Sequence, residues 1–188
     1  MSAALDLLSA RGEDGVSLRD VTDAADANVS AVSYHFGSLK ALFDVAIEDA
    51  LQRYLDSQFE AVSAVPLGST LDDVAAAFAR PMVHALATGG QDLAAIRLVA
   101  RVGIDPPPGW ARFDSSFGRI TATVVDLLRA QSPTTSDSEL MFRTRCAAGM
   151  LNWLVLARLG AELRSSSAKQ IERRLVPVLA GALGAAGN

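Results

Sequence analysis

Leu39, Leu42, Phe43, Ala46, Ile47, Ala50, Leu51, Tyr54 and Leu55 recur at i, i+3, i+4 and i+7 without a break. That spacing lays one apolar stripe along a helix, and strands, whose side chains alternate, cannot use it. With Ser38 as N-cap, it predicts a long helix from Leu39 to about Ala61. The rest of the chain is punctuated to match. Pro66-Leu67-Gly68 makes a break, and Thr70 with Asp73 has the spacing of a capping box that opens a helix to about Ala87. Pro81 inside that helix is expected to kink it, and Gly89-Gly90 to stop it. A shorter helix over Asp92–Val102 runs into Asp105-Pro-Pro-Pro-Gly109, and the pattern resumes over Trp110–Ala130 until Ser132-Pro133 turns the chain. Ser136 with Glu139 opens a helix to about Leu159, and Ser167 with Gln170 a last one to about Leu183. No alternating strand pattern, internal repeat or low-complexity tract is present, so the fold is predicted to be all-α.

The front of the chain is built on a smaller scale. Ser2–Ala10 reads as a helix ended by Gly12. Ser17 and Asp20 form a capping box, after which Leu18, Val21 and Ala25 make one apolar stripe. Asp26-Ala27-Asn28 breaks it. Asp tolerates the left-handed backbone of a tight turn, and Asn28 suits an N-cap. In the next helix Val29, Val32 and Phe36 share a face expected to pack inward. Ser30 and Tyr34 lie opposite, flanked by Ala31, Ser33 and His35. That outward face is small, polar and aromatic, which suits the major groove of DNA. Taken alone, Tyr34 and His35 are equally a surface aromatic and a histidine favoured by a helix C-terminus.

Ser17-Leu18-Arg19-Asp20-Val21, the Ala25-Asp26-Ala27-Asn28 turn, Tyr34-His35-Phe36-Gly37-Ser38 and Ala41-Leu42-Phe43 together resemble the helix-turn-helix of the TetR family of bacterial transcriptional regulators. The match covers roughly the first quarter of the chain; beyond it the likeness is one of helix order, three small helices and then six larger. Two positions depart from the family pattern. Asp26 stands where Gly is usual, and Leu39 precedes Lys40 where Lys usually follows Phe-Gly-Ser, which removes one phosphate contact or moves it by a residue. The resemblance implies a tetracycline-repressor-like fold, with a helix-turn-helix DNA-binding domain over 1–45 and a helical ligand-binding and dimerisation domain over 46–188. It also implies a cytoplasmic homodimeric regulator, a repressor released from a palindromic operator by a small-molecule effector. Ser17 and Arg19 would touch phosphates. Asn28, Val29, Ser30, Ser33 and Tyr34 would enter the groove, with Val29 offering only apolar contact, as to a thymine methyl. His35 and Lys40 would hold the backbone.

Charge argues the other way. The formal net charge is −4. The first 53 residues hold only Arg11, Arg19, Lys40 and Arg53 against nine acids, whereas DNA affinity rests heavily on phosphate neutralisation. Several acids fall at Asp44, Glu48 and Asp49 of the long helix or in the Glu13-Asp14 loop. Related proteins usually carry a basic arm before the first helix, and such an arm would lie ahead of Met1. The acidic head supports an alternative: a helical ligand-binding or adaptor protein with little DNA affinity.

In the second half, Met141, Phe142, Met150, Leu151, Trp153, Leu154, Leu156 and Leu159 cover more of a helix circumference than one core needs, and Ile171, Leu175, Val178, Leu179 and Ala182 add a second stripe. The dimer interface is therefore expected at Met141, Leu151, Leu154, Leu159, Ile171, Leu175 and Leu179. The resemblance places an effector pocket among the middle helices, with Phe78, Met82, Arg97, Arg101, Trp110 and Phe113 as candidate lining, and with Phe117, Met150, Asn152 and Trp153. Plain core packing is the alternative for the aromatics and methionines. Arg97 and Arg101 are one turn apart, so they would suit an anionic head group if they point inward; His84 reads as structural.

An enzyme is not expected. Two histidines, with no Glu-x-x-His, no His–Cys cluster and no glycine-rich phosphate loop, give no basis for a metal or cofactor. The single cysteine, Cys146, forms no internal disulfide and fits a reducing compartment. No secretory signal is read at the N-terminus. The densest apolar run, Cys146–Ala157, falls short of the ~20 residues that span a bilayer, so no membrane partner is expected.

Overall fold

The computed structural model describes residues 1–104, 113–157, 163 and 166–184. Among these residues it is helical throughout, without strands. The helices are α1 (Ser2–Arg11), α2 (Leu18–Ala25), α3 (Val29–Phe36), α4 (Leu39–Ser63), α5 (Leu71–Thr88), α6 (Gly90–Ile104), α7 (Asp114–Gln131), α8 (Asp137–Leu156) and α9 (Ala168–Gly184). The side-chain caps explain most boundaries. Ser17 and Thr70 each form reciprocal capping boxes with Asp20 and Asp73. Ser38 and Ser136 accept hydrogen bonds from the backbone N–H of Ala41 and Glu139. Ser167 donates its N–H to Gln170 Oε1 over 2.8 Å. α6 begins two residues before the expected Asp92, because Gly89 and Gly90 take φ of 70° and 56° and turn the chain into it at once. α5 stays helical through Pro81.

Two cores meet along one rod. The first gathers Leu5 and Leu8 of α1, Val21 of α2, Val32 of α3, and Leu42, Phe43, Ala46 and Ala50 of α4. It also takes Leu98, with Ala95 beside it, from α6. The expected division at 45/46 thus falls inside α4, and the head is finished by a helix far along the chain. The second core fills the bundle of α5–α9 around Met82, Leu86, Leu128, Leu140, Ile171, Leu179 and Leu183. α9 lies along α5, and Gly184 lets the two approach closely: a Cβ there would press on the Leu71 side chain, which would have to turn aside.

The expected dimer residues divide. Leu151, Leu154, Ile171 and Leu179 are buried in the chain's own core, and Leu175 packs against it. Those side chains pack within the chain itself, Leu175 only in part. Met141 remains part-exposed, and Leu159 lies outside the described residues. The exposed apolar face is carried instead by Phe142, Met150, Trp153 and Leu156 of α8 and Val178 of α9. Among the described residues no helix is long and apolar enough to cross a membrane.

Candidate nucleic-acid interface and the cavity behind it

The head is held by local hydrogen bonds that follow from sequence spacing. Ser17 N–H donates to Asp20 Oδ2 over 2.8 Å, and Asp20 N–H donates back to Ser17 Oγ over 3.2 Å. The Ser17 hydroxyl also donates to Asp20. These bonds, first the hydroxyl and then the backbone N–H, with the Arg11 guanidinium beyond them, hold the Asp20 carboxyl below its ordinary value. Asp26 takes φ 47° and ψ 47°, the left-handed turn between α2 and α3 that a glycine would otherwise supply. Asn28 Oδ1 accepts the Ser30 N–H over 2.8 Å and starts α3. Gly37, at φ 77°, ends it.

This frame turns α3 outward. Val32 is buried and Phe36 half-buried beneath it, while Tyr34 is 86% exposed, its ring edge-on to His35 at 5.1 Å. Ser17, Arg19, Asn28, Val29, Ser30, Ser33, Tyr34, His35 and Lys40 are all solvent-exposed. Val29 does not pack inward as its position on the wheel predicts. It is 46% exposed, because the first turn of α3 runs past the edge of the head core.

The electrostatics carry a feature the charge count hides: every cation of the first 53 residues lies beside a carboxylate. Arg11 is 3.6 Å from Asp20, Arg19 3.7 Å from Asp23, Lys40 3.0 Å from Asp44, and Arg53 2.6 Å from Asp49. Hydrogen bonding to Asp44 and its charge raise the Lys40 ammonium above its ordinary value. Three of these pairs are i,i+4 on a helix, a spacing legible beforehand, and sequence reasoning did not use it. All are exposed, so each is weak and open to exchange for a phosphate.

Behind the head, α4–α8 line a solvent-open cavity of about 1160 Å³. Phe78, Val99, Phe113, Phe117, Ile120 and Leu151 supply apolar wall. Gln58, on the otherwise apolar stripe of α4, is buried against the cavity and donates from Nε2 to the Phe78 carbonyl over 2.9 Å. Burial pushes the Tyr54 phenol up, partly offset by its hydrogen bond to Gln58. Thr144 donates to the Leu140 carbonyl. Asn152 approaches Gly103 so closely that a Cβ there would lie 2.5 Å from Asn152 Nδ2. The charged lining residues stand at the solvent side. Arg129 bonds Asp137 through Nε at 3.0 Å and also bonds Asp126, and the neighbouring Asp114 and Arg145 are exposed.

Of the residues expected to line a pocket, Phe78, Phe113, Phe117 and Asn152 do so. Met82 is buried in the bundle core, away from the lining, and Met150 and Trp153 face outward. Arg97 and Arg101 are also absent from the wall, to which α6 contributes Val99, Gly103 and Ile104. His84 is exposed, 3.5 Å from Asp92, and Trp110 lies outside the described residues. Tyr54, Gln58, Thr121 and Thr144 were missed. The signal for Gln58 was a polar residue in register with Leu51, Tyr54 and Leu55. Among the described residues no cluster of three or more His, Cys, Asp or Glu is placed to hold a metal.

A small three-helix head presenting one exposed helix, mounted on a helical body with a cleft, is the architecture of a helix-turn-helix DNA-binding protein. Residues 1–46 match the family described as bacterial regulatory proteins, tetR family, and residues 76–182 match the tetracyclin repressor-like C-terminal domain. The chain belongs to the TetR family, and is a DNA-binding transcriptional regulator rather than an enzyme. Among solved structures it resembles the TetR-family regulator PfmR of Thermus thermophilus, at 16% identity and TM-score 0.70 over 95% of this chain and 94% of that one. It also resembles a structure described as a TetR-family regulator from Mesorhizobium loti, at 19% identity and TM-score 0.60 over 99% and 94%. At these identities the likeness is one of fold. No curated protein sequence matches the chain.

Proposed function

We propose that the protein is a cytoplasmic homodimeric repressor that leaves a palindromic operator when a small molecule enters the cavity. The observation that carries this reading is the double duty of α6. Ala95 and Leu98 pack into the head core, while Val99 and Gly103, one step round the same helix, wall the cavity. A ligand that displaces Val99 or the Gly103–Asn152 approach therefore moves a helix on which the head rests. Packed interfaces switch between discrete arrangements rather than deforming smoothly, so a small shift is passed on. α4, which runs from head to cavity wall, is the second connection.

On the DNA side, Ser17 and Arg19 at the start of α2 meet phosphates. Asn28, Val29, Ser30, Ser33 and Tyr34 face the groove, and His35 and Lys40 hold the backbone. Two such heads, related by a two-fold axis, read half-sites about one helical turn or a multiple of it apart. The exposed stripe of Phe142, Met150, Trp153 and Leu156, with Val178, is the surface offered to the second copy. The effector is apolar through most of its body and uncharged where it is buried. The described inner polar groups are the neutral Tyr54, Gln58, Thr121, Thr144 and Asn152, and an unpaired buried charge is costly.

The test combines binding and release. Compounds that raise the thermal midpoint are screened against the full chain, then added to the protein on its selected operator. The reading expects such a ligand to weaken operator binding by roughly 5- to 150-fold, the usual range of allosteric coupling. It also expects Ala148→Trp, which fills the cavity, to abolish the thermal response. A cavity ligand that leaves operator affinity unchanged would contradict the release mechanism. The head's carboxylates favour a second reading, a ligand-binding protein of low DNA affinity; its mark would be no sequence selection.

A further inference from the structure

We propose that the major-groove readout of each half-site is made chiefly through thymine 5-methyl groups packed against Val29, with Ala31 beside it, and not through contacts to guanine. The proposal rests on the operator-binding reading above. Guanine is distinguished in the major groove by paired hydrogen bonds from Arg or Lys, and adenine by paired bonds from Asn or Gln. α3 reads Val-Ser-Ala-Val-Ser-Tyr-His-Phe and contains none of these four types. Asn28 stands at its N-cap, where the Ser30 N–H bond to Oδ1 fixes the amide against the helix start and so restricts its reach to a base edge. Arg19 and Lys40 belong to the flanking helices and sit on Asp23 and Asp44. Ser30 and Ser33 have hydroxyls that bond any base pair. On its first turn α3 presents exposed apolar surface, the isopropyl group of Val29, 46% exposed, and the methyl of Ala31, whereas the exposed Tyr34 and His35 stand on its last turn. Recognition helices meet base edges with their first residues. The thymine 5-methyl is the apolar group on those edges, so it is the complement the helix carries.

The experiment uses the full chain and the half-site recovered by selection from random duplex DNA. Thymines in that site are replaced one at a time by deoxyuridine, which removes the methyl and keeps every hydrogen bond. At one or two positions per half-site the replacement is expected to weaken wild-type binding roughly three- to five-fold, the scale of one buried methyl. With Val29→Ala, binding to the thymine site is expected to fall, and the thymine-to-uracil penalty at those positions to shrink towards one-fold. Thymines elsewhere in the duplex serve as controls. Uracil duplexes that all bind as well as the parent, or a half-site fixed by G·C pairs, would overturn the proposal while leaving operator binding intact. Absence of any enriched sequence would overturn the operator reading, and this readout with it.

Discussion

Lys40 sits 3.0 Å from Asp44, and Arg19 3.7 Å from Asp23, on the side of the head proposed to meet DNA. Each carboxylate competes with a phosphate for its cation. Asp44→Asn should therefore strengthen DNA binding several-fold near physiological salt and steepen the dependence of log K on log salt by about one charge. Fluorescence anisotropy from low to moderate salt checks both, and an unchanged slope would mean Lys40 does not reach the backbone. The capping carboxylates make a second prediction. Hydrogen bonds from the Thr70 hydroxyl and N–H hold Asp73 below its ordinary value, as those from Ser17 hold Asp20. A depressed carboxyl adds stability above its unfolded pKa and loses it as pH falls through the folded one. The thermal midpoint should drop as pH goes below about 4, and Asp73→Asn should flatten part of that drop. These caps were readable because they join residues three apart. The wheel places Val29 inward where the family resemblance places it in the groove, because a wheel says which face a residue takes but not where the core beneath it ends.

At the scale of elements, α6 is the piece least legible in sequence. Leu93, Ala94, Ile96, Leu98, Val99 and Ala100 are all buried, so the helix is apolar nearly all round and its pattern names no single face. Sequence alone therefore cannot tell whether Arg97 and Arg101 face the cavity, and they are not among its lining residues. What sequence could not divide, packing does: one strip of α6 joins the head and the next walls the cavity. Leu98→Ala should cost about 2–5 kcal/mol of stability through the space it opens. It should also uncouple the halves, leaving ligand affinity near wild type while shrinking the ligand's effect on DNA. Thermal melts with operator titrations in the presence and absence of ligand separate these effects. A full ligand response in this variant would assign transmission to α4 alone.

At the scale of the whole molecule, helix order was legible from Pro, Gly and capping residues, and most boundaries fell within a residue or two. The assignment of apolar residues to core or partner was not. α8 is apolar on most of its circumference, and only the fold separates Leu140, Ala147 and Leu151 inside from Phe142, Met150 and Trp153 outside. With Phe142 63% and Trp153 61% exposed, the proposed dimer has a specific weak point. The double variant Phe142→Glu, Trp153→Glu should remain folded by circular dichroism, sediment as a monomer and lose most operator affinity. A dimer surviving both changes would place the interface elsewhere.

The measurement that bears most directly on the central claim is selection from a random duplex DNA pool at near-physiological salt, run in parallel on the wild-type chain and on Tyr34→Ala. Tyr34 is 86% exposed on α3, so its loss should leave the fold intact. The account predicts an enriched inverted repeat for the wild type, with half-sites spaced for a two-fold dimer, and its loss or severe weakening in the variant. A folded, dimeric protein that enriches no sequence, or a variant that recovers the same repeat as strongly, would contradict it.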